Sequence, residues 1–346
     1  MLTRILAVLM LLALCVGGYV GYQYQQFITQ KPSTEHTEKI ITIPRGASSG
    51  AIANLLQQEG VLLDPSGFRY YVRLKGAASG IKAGEFRFYT DMTPPQVLEV
   101  LVKGEEVTYK VTFPEGYNMR DMAQTLPKAI PFLDGATFLS LARSEELARS
   151  LGIPSTNLEG FLFPATYQVT RSMKEKDLVE QMVKQFKATW TPAFDQRAKE
   201  LGMDMLKVIT LASVVEKETG ARDEQPTVSS VFHNRLRKGM KLESDPTIIY
   251  GLENFDGDIK RADIRRAHPW NTYVIPALPP TPIANPGQGA IEATLYPANT
   301  DYLFFVAKGN GEHTFSRTFA EHALKVLEYQ IRRRGQAAAP APTATP

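Results

Sequence analysis

Two glutamates close an otherwise apolar helical run, and their position suits acid–base chemistry. Between Leu206 and Val215 the sequence LKVITLASVV spreads Leu206, Val208, Ile209, Leu211, Ala212, Val214 and Val215 around nearly the whole helix circumference, which predicts an element buried on all sides. It runs into Glu216-Lys217-Glu218 and is expected to stop at Thr219-Gly220. Apolar walls raise a carboxyl pKa, and the negative end of the helix dipole raises it further. A carboxylic acid that keeps its proton near neutrality is what a general acid requires. At about 100° per residue the two glutamates point about 200° apart, so at most one faces a given site, and the spacing does not choose between them. The competing reading of the triplet is a solvated helix end pairing with Arg222 or Lys217.

Other polar groups lie downstream. Residues Val228–Gly251 carry a predicted helix with Asn234 and Arg235, then Asp245-Pro246-Thr247 and Tyr250. The stretch His268–Gly287, HPWNTYVIPALPPTPIANPG, supplies ring faces and amide forks at Trp270, Asn271 and Tyr273, the chemistry that grips sugar rings. Metal chemistry has no comparable signal. His36, His233, His268, His313 and His322 show neither HExxH nor a tight ligand spacing, and Cys15 alone makes neither a zinc cluster nor a disulfide. No metal and no cofactor are expected. His313, in GEHTF, is expected to pack or hydrogen-bond, with a place near the site as the alternative. Gly46-Ala47-Ser48-Ser49-Gly50 formally matches a nucleophile elbow. A turn followed by a helix cap explains it better, because the matching segment Gly116–Arg120, GYNMR, has no serine.

The chain that must position these groups has 346 residues, enough for about two domains. With 43% hydrophobic and 22% charged residues it is neither disordered nor a multi-span membrane protein. Lys+Arg 39 against Asp+Glu 36 leaves +3, too small an excess to indicate nucleic acid as partner. From Ile5 to Tyr22 the sequence is apolar over 18 residues, about 27 Å as helix, which just spans a bilayer. Arg4 precedes it and Lys31 is the next charge, so an uncleaved single-pass anchor with a cytoplasmic N-terminus is expected. A cleaved signal peptide fits less well, since its apolar region is shorter and ends in a small-x-small site.

An internal repeat organises the chain beyond the anchor. Ile41–Leu56 matches Val111–Leu126 at an offset of 70, with identities Thr42/Thr112, Pro44/Pro114, Gly46/Gly116, Ala53/Ala123 and Leu56/Leu126. Each copy reads as a short strand, a Pro-x-Gly turn, an N-cap at Ser48 or Asn118, and an amphipathic helix. Between them PSGFRYYVRLKG predicts a helix, KAGEFRFYTDM a strand, and TPPQVLEVLVKGE a helix opened by prolines. The expected organisation is a cytoplasmic N-terminus (1–4), a transmembrane anchor (5–24), a polar linker (25–39), a small α+β module (40–106), a larger mixed α+β catalytic domain (107–334) and a Pro/Ala-rich disordered tail (335–346).

Four ordered motifs, LASVVEKETG, VFHNRL…GMKLESDPTIIYG, NTY…LPPTPIANPG and LFFVAKGNGEHTFSRTFAEH, resemble the YceG-like endolytic murein transglycosylase family. The resemblance runs from the anchor to about His322. It implies an inner-membrane protein with a LysM-like module and a periplasmic catalytic domain, acting on peptidoglycan glycan strands. The implied reaction cleaves the β-1,4 bond between N-acetylmuramic acid and N-acetylglucosamine and leaves a 1,6-anhydromuramyl end. By the same resemblance Glu218, and not Glu216, is the catalytic residue. Asn234, Asp245, Thr247, Tyr250, Asn271 and Tyr273 become the candidates for substrate contact. The chain departs from the family pattern at Ala277 and Thr281, where GLPPGPI is common, and at Trp270, where a smaller residue or tyrosine is common.

A single carboxyl suffices for that reaction because the substrate's own C6 hydroxyl is the nucleophile, whereas ordinary glycosidases use two. Two alternatives stay open on the sequence. One is a muramidase that uses water with Asp245 or Asp223 as second carboxylate. The other is a non-catalytic glycan-binding scaffold. Cell-wall synthases are natural partners, although no residue pattern identifies one.

Overall fold

The computed structural model describes residues 2–252 and 255–332. Met1 and the tail expected at 335–346 lie outside the described residues. The chain divides into two units, Met1–Tyr109 with Gln168–Met173, and Lys110–Tyr167 with Lys174–Pro346.

The first unit opens with α1 (Leu2–Thr29), followed by β1 (Glu38–Ile43), α2 (Ser49–Gln58), α3 (Pro65–Leu74), β2 (Gly84–Tyr89) and α4 (Pro94–Lys103). Strands β1 and β2 pair antiparallel with Ile41 opposite Phe86 and Ile43 opposite Gly84. Period-2 alternation turns Ile41 and Ile43 inward together with Phe86 and Phe88. The helices close over them with Ile52, Leu56, Phe68, Val72, Val97 and Leu101. Capping fixes the helix starts: Asp64 accepts the N–H groups of Ser66 and Gly67, and Thr93 with Gln96 forms a capping box ahead of Pro94. The stretch expected to be a linker at 25–39 is shorter in structured terms. Helix α1 continues to Thr29 because Phe27 and Ile28 pack against this core, and β1 already begins at Glu38.

The passage between units falls within β3 (Thr108–Thr112) and, later, β4 (Thr166–Thr170). The second unit contains α5 (Met119–Ala129), α6 (Gly135–Ala142), α7 (Glu145–Ser150), α8 (Glu175–Thr189), α9 (Pro192–Glu200), α10 (Met205–Glu218), α11 (Gln225–Arg237), α12 (Asp245–Gly251), α13 (Arg261–Arg265), α14 (Gln288–Leu295), β5 (Phe304–Ala307), β6 (His313–Ser316) and α15 (Phe319–Val326). Helix α10 is its spine. Every residue from Val208 to Val215 is buried, Thr210 and Ser213 included, and α14, α11 and α12 pack around it.

The repeat is a repeat of structure. Gly46 and Gly116 turn the chain with φ of +74° and +78°, a region that favours glycine. Ser48 then caps α2 by accepting the Ala51 N–H at 3.2 Å, and Asn118 caps α5 by accepting those of Arg120 and Asp121. Ser48 is therefore a cap, and its partner in the second copy performs the same task without a hydroxyl.

One glycine fixes a close approach in the second unit. Gly160 has φ +87°, and a Cβ there would stand 2.5 Å from Pro282 Cγ and 2.8 Å from Ile209 Cγ2 on α10. Gly46 has the same backbone conformation with open space around it. Gly46→Ala is expected to cost about 1 kcal/mol from backbone strain alone. Gly160→Ala adds overpacking to that strain and is expected to cost about 2–4 kcal/mol. Denaturant unfolding of the two variants checks the difference, and equal losses would contradict it.

Candidate active site

Glu218 is the last residue of α10, and Thr219 ends the helix in an extended conformation with its hydroxyl accepting the Ala221 N–H at 3.1 Å. The stop thus comes from Thr219, and Gly220 does not adopt the left-handed geometry usual for a terminal glycine. The half-buried Glu218 carboxyl lines a cleft of about 370 Å³ with Arg235, Glu243, Asp245, Tyr273 and His313. Its Oε1 accepts a hydrogen bond from the Ser244 hydroxyl. Loss of hydration raises its pKa to about 7, and the nearby Asp245 carboxylate adds to the rise. The Ser244 hydrogen bond and the Arg235 charge oppose it.

Ser244 is held by a buried hydroxyl network. Its N–H donates to Thr272 Oγ1 at 3.0 Å, its carbonyl accepts from Thr247 Oγ1 at 2.6 Å, and the two threonine hydroxyls lie 2.8 Å apart. Although Ser244 occupies the N-cap position of α12, its side chain makes no cap bond, because the hydroxyl is turned to Glu218. The preceding residue, Glu243, has φ +54°, rare for a side chain larger than glycine. Arg235 holds this turn. Its guanidinium donates to the carbonyls of Lys241, Leu242 and Leu303 and to Glu243 Oε2 at 3.0 Å.

Of the residues singled out in the sequence, Glu218, Asp245 and Tyr273 come together at the cleft, where the Tyr273 hydroxyl donates to Asp245 Oδ1 at 2.7 Å. The other four do not line it. Asn234 gives its amide to the carbonyls of Thr300 and Tyr302, at 3.0 and 2.9 Å. Asn271 gives its own to those of Asp263, Ile264 and Arg266. Thr247 belongs to the hydroxyl network, and the Tyr250 hydroxyl donates to Glu159. Glu216 points elsewhere than Glu218, as the helix geometry requires, and accepts the Gly287 N–H ahead of α14 at 3.0 Å. The hydrogen bonds of Arg222 and Lys217 go to Glu115 at 2.9 Å and to the Gly116 carbonyl at 3.2 Å, while both charges also act on Glu216 and oppose the rise that burial gives its carboxyl. Away from the cleft, Trp270 Nε1 donates to Thr281 Oγ1 at 3.0 Å, which joins two of the positions where the motifs depart from the pattern they resemble. His313 pairs with Glu224 at 2.8 Å. Among the described residues no group of three or more His, Cys, Asp or Glu side chains could hold a metal ion.

Two groups escaped the sequence reading. Ser244 lies inside a quoted motif but carries no signal separating it from an ordinary helix cap. Glu159 had a signal, a lone charge in the apolar run LEGFLFPA. It is wholly buried and accepts from the Met119 N–H at 3.0 Å, Asn285 Nδ2 at 3.0 Å and the Tyr250 hydroxyl at 3.0 Å. Burial raises its pKa to about 8. Asn285 extends the junction, donating to the Tyr117 carbonyl and accepting the Leu162 N–H. The loops that carry Glu159, Asn285 and the second repeat turn are thereby joined around one buried carboxyl.

The YceG-like family model matches residues 41–328. The endolytic murein transglycosylase of Bacillus subtilis strain 168 is 32% identical over 327 residues, covering 89% of this chain and 89% of that protein. The endolytic murein transglycosylase of Streptococcus pneumoniae serotype 2 strain D39 is 29% identical, covering 89% of this chain and 63% of that protein. Among solved structures, a yceG-like protein of Listeria monocytogenes superposes with a TM-score of 0.58 at 30% identity, covering 84% of this chain and all of that one.

The Glu159 cluster makes a stability prediction. An acid whose folded pKa of about 8 exceeds its ordinary 4.5 binds more protons folded than unfolded between those values, so stability falls as pH rises from about 4.5 to about 8. Glu159→Gln removes that titration, and its unfolding free energy is expected to vary less with pH over this window. Urea unfolding at several pH values checks this; an unchanged slope would show that Glu159 does not titrate there.

Proposed function

This chain belongs to the YceG-like family, and on that premise we propose that it is a membrane-anchored endolytic murein transglycosylase. It cuts the β-1,4 bond between N-acetylmuramic acid and N-acetylglucosamine within glycan strands, forms a 1,6-anhydromuramyl end and so terminates the growth of nascent strands. The observation that carries the reading is Glu218, a half-buried carboxyl with a pKa near 7 at the wall of a polar cleft.

In this mechanism the protonated Glu218 gives its proton to the glycosidic oxygen as the C1–O bond breaks. The resulting carboxylate then takes the proton of the C6 hydroxyl as that oxygen bonds to C1. The residue ends protonated, and no water is consumed. Asp245 and Tyr273, on the same cleft, orient the N-acetyl groups and meet the positive charge that develops at C1. Ser244 steadies the carboxylate form between the two proton transfers. Asn234, Thr247 and Asn271 act through the main chain they bind, and Tyr250 through Glu159.

Helix α1 is read as the anchor, with the N-terminus in the cytoplasm and the catalytic unit in the periplasm. Its length and composition support a membrane span, and a signal sequence would pass the same test. The first unit is read as LysM-like and glycan-binding, on the Gly46 turn that leads into α2.

Glu218→Gln is expected to reduce cleavage of isolated peptidoglycan by at least about 100-fold while the fold is retained. Mass spectrometry of products formed by the parent enzyme in ¹⁸O-water separates the chemistries. Anhydro ends without ¹⁸O fit the proposal, reducing ends carrying ¹⁸O indicate a muramidase with Asp245 or Asp223 as second carboxylate, and no cleavage indicates a scaffold.

The pH profile carries a signed test. A general acid must be protonated, so kcat/KM is expected to fall as pH rises through about 7. Ser244→Ala removes a bond that favours the charged form and is expected to move this limb to higher pH. Asp245→Asn removes a repelling charge and is expected to move it to lower pH. Shifts of the opposite sign would contradict the assignment of that limb to Glu218.

A further inference from the structure

The first unit leaves an apolar edge uncovered beside α1. On α3, Phe68 and Val72 face the core, while Tyr70 and Leu74 are 68% and 59% exposed. Gly67 lies two turns before Leu74 on the same face. At Gly67 the phenyl ring of Phe27 on α1 comes so close that a Cβ would stand 2.9 Å from it. Tyr71 adds ring contacts to Phe27 at 5.8 Å and to Tyr24 at 6.4 Å. A groove of about 670 Å³ runs between the helices, bounded by Tyr19, Val20 and Gln23 on α1 and by Tyr70 and Leu74 on α3. Helix α3 therefore flanks the C-terminal turns of α1, and its exposed apolar pair lies along that flank.

Chain arithmetic gives the depth. The apolar stretch Ile5–Tyr22 is about 27 Å long as helix, close to the roughly 30 Å of a hydrocarbon core. Tyr19 then stands about 4–5 Å on the acyl side of the boundary at Tyr22, and Phe27 about 7–8 Å on the headgroup side. A helix packed against these residues is held at the same level. Its polar residues suit that position: Arg69, Arg73 and Lys75 are exposed, and the Lys75 ammonium sits 5.6 Å from the Tyr71 ring centre. Aromatic and basic residues around an apolar edge are the composition of an interfacial helix.

We propose that α3 is a membrane-interface helix, its Tyr70–Leu74 edge and the groove beside it occupied by phospholipid of the bilayer that α1 crosses, with Arg69, Arg73 and Lys75 meeting anionic headgroups. The inference rests on the reading of α1 as an anchor. It makes the first unit a body seated on the membrane surface, where a simple flexible tether would leave it free to rotate.

Spin-label depth measurement on the full chain tests it. With Cys15→Ser removing the native thiol, nitroxides are placed by Leu12→Cys, Tyr70→Cys and Leu74→Cys, each in vesicles of phosphatidylethanolamine and phosphatidylglycerol. Collision with oxygen is compared with collision with a water-soluble nickel chelate. Labels at 70 and 74 are expected about 5 Å on the acyl side of the phosphates, with the label at 12 deeper. Water-exposed labels at 70 and 74 with a buried label at 12 would overturn the interface helix and leave the anchor standing. A water-exposed label at 12 would remove the anchor itself, and the proposal with it.

Discussion

The arrangement depends on one constraint: a carboxyl carried at the end of a helix buried from Val208 to Val215, with little water around it and one hydroxyl against it. Burial alone would hold Glu218 neutral, and free solvation alone would hold it charged. The Ser244 bond and the Arg235 charge act against desolvation, and the balance lies near neutrality. A group in that balance can give a proton and take one back within a single reaction cycle, which a chemistry with one carboxyl demands.

Much of the surrounding structure fixes that balance geometrically. The apolar faces of α10 lock its axis against α11, α12 and α14, so the position of Glu218 is inherited from core packing. The turn that presents Ser244 is fixed twice, by the Thr247 and Thr272 hydroxyls beneath it and by Arg235 across it. Glu216 bonds the start of α14, and Ser213, one turn earlier on α10, accepts the Ile283 N–H at 3.0 Å. The proline-rich loop and α14 are therefore registered to the same helix that carries the acid.

The helices α2 to α5, α10 and α11, the strands β1 to β3 and the repeat were legible because periodicity and capping are local, whereas the pairing of strands was not. Leu206–Val215 declared a buried helix, and Ser48, Asn118 and the Pro-x-Gly turns declared their own geometry. The direction of individual polar side chains was not legible. Asn234 and Asn271 were candidates for sugar contact on residue type, yet the Asn234 amide reaches carbonyls at Thr300 and Tyr302, far along the chain, and the Asn271 amide ties down the turn just before it, through carbonyls that no spacing rule points to. Ser244 resembled a cap and serves Glu218 instead. Glu159 stood out only as a charge in apolar surroundings, and its partners arrive from the start of α5, from α12 and from the loop ahead of α14. Periodicity divided Glu216 from Glu218, but choosing between them needed the resemblance.

The most direct test of the account is a titration of the Glu218 carboxyl itself, by difference infrared spectroscopy of the protonated C=O stretch with Glu218→Gln as the subtracted reference. The account predicts a protonated band that disappears with a midpoint near pH 7. A midpoint near 4.5, that of an ordinary glutamate, would contradict it.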